Sequence, residues 1–171
     1  MANHLDIFRK DFLEANTWAQ RKDGIPLDLL DQLTREELKA AEAELIKAVS
    51  LRDSWPTVGL GHIKSKSALP TLYDLLDKSK GAMSVIVAHS IFQICQDARM
   101  IETVLEAMPG ITSEFELIDI LYYLPDFNEI RIAELHCGYL NHNDYLVAYN
   151  AARSLGLPTD GIVEKFRNRE K

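Results

Sequence analysis

The sequence predicts an all-α protein, an α-solenoid in which pairs of helices repeat about every thirty residues. Three observations carry that prediction. Apolar residues recur every three or four positions through most of the chain, four nine-residue segments align without gaps at near-constant spacing, and no stretch of five or more residues alternates strictly as a half-buried strand would. The chain has 171 residues, enough for one domain with a real core and too few for two of ordinary size. A single cooperative domain over 1–171 is therefore expected, with capping helices in 1–33, repeats in 34–158 and a last cap helix in 159–171.

The first helix is predicted over residues 5–20, where Leu5, Phe8, Phe12, Ala15 and Ala19 share one face. Asp23, Gly24, Ile25 and Pro26 then supply a turn and a proline suited to a first helical position, opening a short helix with Leu27, Leu30 and Leu33. Thr34 and Glu37 have the spacing of a capping box, in which each side chain bonds the other residue's amide. The helix they start should reach residue 52, with Leu38, Ala41, Leu45 and Val49 inward.

From Trp55 onward the chain resembles itself. Segments 55–63, 86–94, 116–124 and 147–155 end at Ile63, Ile94, Leu124 and Leu155, which are 31, 30 and 31 positions apart. Three residues before each end stand Leu60, Ile91, Leu121 and Ala152, and four before stand Gly59, Ser90, Ile120 and Ala151. On a 3.6-residue helix these columns form one apolar stripe, with small residues where helices approach closely. Partner helices fill the gaps. Pro70 sits in a first turn, Asp97 caps a helix carrying Met100, Ile101, Val104 and Leu105 that ends at Met108-Pro109-Gly110, and Asp126 with Glu129 reads as an aspartate capping box. Ser113 with Glu116, and Asn141 with Asp144, begin later helices, and a polar helix follows Gly156-Leu157-Pro158.

These residues resemble a known family. The stretch from Gly59 to Leu76, a small-residue helix end followed by an Ala-Leu-Pro helix start, resembles the junction of two HEAT repeats, and the stretch from Leu146 to Leu157 is similar to the inner helix of short bacterial HEAT-like repeats, including those of bilin-lyase relatives. The likeness covers residues 34–158. It implies a right-handed superhelix of about four HEAT-like helix pairs with a concave surface for a partner. The family often carries an arginine just after the valine of the inner helix. Here that position holds Ala148 in the last repeat and Ala88 or Ser84 in the second, so apolar packing is expected to hold the repeats together.

Composition narrows the function classes. The net charge is −7, and from Glu102 to Asp144 nine acidic side chains face one strong base, Arg131. Phosphate backbones need clustered Lys and Arg, so nucleic acid is not an expected partner, and helical-repeat DNA glycosylases fit poorly. A protein partner, itself basic, fits better, while the bland reading of the block is a solvated surface. No run of about eighteen apolar residues spans a bilayer, and the first residues lack a secretory signal's apolar run. Cys95 and Cys137 lie far apart, as in a reducing compartment. A cytoplasmic protein without membrane contact, monomeric or weakly dimeric and without a cofactor, is expected.

A binding strip follows from the register. Opposite the apolar stripe lie Phe92, Tyr122 and Arg153; His89, Asp119 and Asn150; and Val85, Phe115 and Leu146. Aromatic anchors with a few polar groups suit an interaction patch, and the competing reading is that Phe92, Phe115 and Leu146 pack on neighbouring helices. His89, Phe92, Phe115, Asp119, Tyr122, Asn150 and Arg153 are thus the candidate binding residues of a non-catalytic protein-binding module, in its sharper form an immunity-type inhibitor of a basic toxin. The competing class is a bilin-lyase-like ligand handler or a metal-assisted hydrolase. The chain has no phosphate loop, nucleophile elbow or His-Glu-x-x-His helix. Its residual constellations are Glu134, His136, Cys137 and His142, mixed metal-ligand types within nine residues, and a His89–Asp119 pair. No catalytic residue and no metal ligand is assigned from them.

Overall fold

The computed structural model describes residues 3–168, most of which are helical, with no strand among them. Twelve α-helical segments occur among the described residues: α1 (His4–Phe8), α2 (Trp18–Arg21), α3 (Asp28–Asp31), α4 (Arg35–Ala48), α5 (Trp55–His62), α6 (Leu69–Leu76), α7 (Ala82–Cys95), α8 (Arg99–Ala107), α9 (Glu114–Leu121), α10 (Ile130–Gly138), α11 (Tyr145–Ser154) and α12 (Asp160–Arg167). Within the stretch 159–171, expected as a cap helix, α12 is the helix present, and residues 169–171 lie outside the described residues. Contacts gather the chain into two compact units, residues 1–79 with 90–96, and residues 80–89 with 97–171. The two units divide α7 between them.

In the first unit, α1 runs into a wider π-helical turn, Arg9–Leu13, which keeps Phe8 and Phe12 buried with their rings 5.2 Å apart. The single helix expected over 5–20 breaks at 14–17, because Thr17 forms its own capping box with Gln20 and starts α2 there. Ala19 and Trp18 are consequently exposed. Gly24 takes the left-handed turn conformation, φ +89°, which glycine adopts without strain. Pro26 precedes α3 by two residues instead of opening it, and Leu30 is the buried anchor of that helix. The Thr34–Glu37 capping box forms as expected, but α4 stops at Ala48 as Val49 turns to extended backbone. Phe12, Leu30 and Leu45 converge on Gly59 of α5, where an added Cβ would meet them at 3.1–3.4 Å. Farther along α5, a Cβ on Gly61 would lie 2.9 Å from the Ser90 backbone. The small-residue column therefore marks close helix approach.

In the second unit, α9 packs on α11, α10 on α8, and α12 on α11. Leu117, Ile120, Leu121, Leu124, Phe127, Ile132, Val147, Ala148, Ala151 and Ala152 are all buried. Both inner columns of the register, Leu60, Ile91, Leu121, Ala152 and Gly59, Ser90, Ile120, Ala151, are buried throughout. In the end column Ile63 and Leu155 are only half-buried. Two helix starts differ from expectation. Asp126 lies in a 3-10 turn, Leu124–Phe127, and Glu129 caps α10 through the amides of Arg131 and Ile132. Asn128 between them is left-handed, φ 46°, so the Asp126 box cannot close. Asp144, not Asn141, caps α11 through the Val147 amide.

Candidate functional site

The predicted strip divides according to helix. On α9, Phe115, Asp119 and Tyr122 follow one another at four- and three-residue steps, and Leu146, Asn150 and Arg153 do the same on α11. The opposite faces of both helices are buried, which turns these six positions outward. Phe115 is 80% exposed, Leu146 49% and Tyr122 44%, and Asp119 and Arg153 are exposed as well. Ala151 and Ala152 are the small residues on the buried side of α11. The two rows join through one bond: the Tyr122 hydroxyl donates to Asn150 Oδ1 at 2.6 Å, and Asn150 Nδ2 donates to the Leu146 carbonyl at 2.8 Å. The result is a two-helix face with apolar residues toward one end and a tethered tyrosine, an acid and an arginine toward the other.

The third row of the strip is not on any surface. Val85 and His89 are buried, His89 at 2% exposure, and Phe92 is buried at 7%. Every residue from Ser84 to Phe92 is buried, so α7 is covered all round. The near-continuous apolar run of 85–92 carries the signal for this, since a helix apolar on all sides belongs in a core. His89 does not pair with Asp119. Its Nε2 donates to Asp126 Oδ2 at 2.8 Å, and its ring lies 4.7 Å from Tyr123 and 5.8 Å from Phe127. Burial, partly offset by Asp126, pushes the His89 pKa down, and burial beside Asp119 pushes the Tyr123 phenol up to about 12.

The four-residue constellation near His136 does not assemble either. His136 is buried and bonds Ser154 Oγ at 2.8 Å, and that hydroxyl donates in turn to the Ala151 carbonyl. Burial holds the imidazole neutral, with its pKa down at about 4. His142 Nδ1 accepts from the Asp144 amide, while Glu134 and Cys137 face solvent. Among the described residues no three His, Cys, Asp or Glu side chains group as a metal ion requires.

Sequence reading missed exposed apolar groups beside the strip. The Tyr145 ring lies tilted against Tyr149 at 5.6 Å and meets Phe166 of α12 edge to face at 5.4 Å, and Ile130 stands 68% exposed at the start of α10, on a cleft that His136 also lines. Tyr145 is one position from Leu146 and falls outside the columns compared. The fold and this face define an all-helical protein with an outward two-helix strip. Set against protein-family models, curated proteins and solved structures, the chain matches none.

Proposed function

We propose that this chain is a non-catalytic protein-binding module built of HEAT-like helix pairs, and that it takes its partner on the strip formed by α9 and α11. The observation that carries the reading is the pairing of Phe115, Tyr122 and Leu146, large and exposed, with Asp119, Asn150 and Arg153 on two adjacent helices. Exposed aromatics ringed by a few polar groups are the composition of interface hot spots. The HEAT-like assignment is supported by the 31, 30 and 31 spacing and by two register columns that are buried in every repeat.

The acidic block from Glu102 to Asp144 contains α9 and supports a basic partner, which would be steered toward it at low salt. An inhibitor that blocks a basic toxin is the sharper form of this proposal. The test is affinity capture from the native cell with the wild-type chain, with a Phe115→Ala, Leu146→Ala double variant, and with Leu51→Ser as a surface control. One partner should be retained by wild type and control and weakened at least roughly 30-fold, about 2 kcal/mol, by the double variant. Equal capture by all three, with circular dichroism unchanged, would sink the proposal.

A further inference from the structure

The first unit carries a local charge opposite to that of the whole chain. A cleft of about 350 Å³ is lined by Arg35, Leu38, Lys39 and Glu42 from α4 and by residues 63–67 after α5. Four cations, Arg35, Lys39, Lys64 and Lys66, stand there against one carboxylate, a local charge of +3 in a chain of net charge −7.

The single carboxylate is already engaged. Glu42 Oε1 accepts from Ser65 Oγ at 2.5 Å and from Ser67 Oγ at 2.6 Å, and Ser65 Oγ also receives the Ala68 amide. These bonds hold the Glu42 pKa low and tie the loop to α4. Some cations elsewhere in the molecule have acid partners. Arg9, Arg21, Lys22, Arg99 and Arg131 each hold a carboxylate at 2.6–2.8 Å. Among the described residues none of the four cleft cations has such a partner, although the chain offers 26 acids to 19 bases. Like charges gathered without counterions repel, and an anion that bridges them removes that repulsion.

A second observation comes from the backbone. Helix α5 ends in a Schellman motif, with the Ser65 amide on the Leu60 carbonyl and the Lys64 amide on the Gly61 carbonyl. The left-handed position of this motif is usually glycine, as it is at Gly156 after α11, with the Leu157 amide on Ala152 and φ +69°. Here it is Lys64, at φ 53°. A charged side chain is kept where the backbone prefers none, and it lines the cleft with the other cations.

We propose that this cleft binds a small diphosphate-bearing anion, held by Arg35, Lys39, Lys64 and Lys66. Two phosphates match four cations in number and charge, and the cleft volume falls in the range of small-ligand sites. The test is calorimetric titration of the full chain with inorganic pyrophosphate and with ADP at low ionic strength. Saturable 1:1 binding of either should weaken at least tenfold in Lys64→Gly while the Tm of that variant rises, because glycine relieves the left-handed strain. Arg35→Ala with Lys66→Ala should abolish binding, and Lys80→Ala, outside the cleft, should leave it intact. The ratio of the two ligands tells a free from an esterified diphosphate. The proposal is overturned if neither binds, if the cleft variants bind as wild type does, or if the chain binds only vesicles of anionic lipid and ignores both ligands.

Discussion

His89 and His136 show how single side chains tie stability to pH. Both are buried, and burial lowers both pKa values below 6.5, to about 4 for His136. In the unfolded chain each imidazole takes up a proton more readily, so stability rises with pH between about 4 and 6.5 and is lost as pH falls through that window. Urea unfolding at pH 7 and pH 5 should differ by on the order of 2 kcal/mol, and His136→Gln should flatten the slope. A slope unchanged by that substitution would show that His136 titrates normally. Two glycines separate packing from conformation. Gly61→Ala drives a Cβ to within 2.9 Å of the Ser90 backbone and should cost about 1–3 kcal/mol, whereas Gly138→Ala meets nothing within 4 Å and should be neutral or stabilising by up to about 1 kcal/mol. Denaturation midpoints of the two variants check the contrast.

At the scale of elements, α9 and α11 carry the proposed binding strip on faces that contribute little to folding. Phe115→Ala should change stability by less than about 0.5 kcal/mol, while Leu121→Ala, fully buried on the other side of the same helix, should cost about 2–5 kcal/mol. Thermal melts of the two variants distinguish these outcomes. The sequence makes much of this visible: the inner columns, the Thr34–Glu37 box and the outward rows of α9 and α11 all lie where the periodicity puts them. Competition among local caps hid the rest. Thr17 outbid the periodic face of residues 5–20, and at 126–129 and 141–144 two acceptors stood within three residues, of which Glu129 and Asp144 won. The α7 row of the strip failed for another reason. A column gives the angle of a residue around its helix, not how many sides of that helix are covered, and for α7 that is decided by residues such as Tyr123 and Phe127, more than thirty positions away. The basic cleft was hidden for the same reason, since α4 and residues 63–67 meet only in the fold.

For the molecule as a whole, α7 has the larger consequence. Residues 82–89 of this helix belong to one unit and 90–95 to the other, and no loop separates the two parts. Helical hydrogen bonding is cooperative along a continuous segment, so losing either unit frays the helix on which the other depends. Both tryptophans, Trp18 and Trp55, lie in the first unit, so tryptophan fluorescence reports that unit while far-ultraviolet circular dichroism reports both. The two unfolding curves in urea should coincide, and a fluorescence midpoint well apart from the dichroism midpoint would show that the units unfold independently.

The division of α7 also bears on how the chain could be cut. A fragment ending at residue 79 would lack residues 90–96 of its own unit, and a fragment beginning at residue 80 would carry those residues without the rest of that unit. The polypeptide order therefore interleaves what the contacts group together. Only the first half is thereby incomplete: a fragment 1–79 should show less helicity by circular dichroism than its share of the whole chain, whereas 80–171 holds every residue of the second unit and should keep its helices.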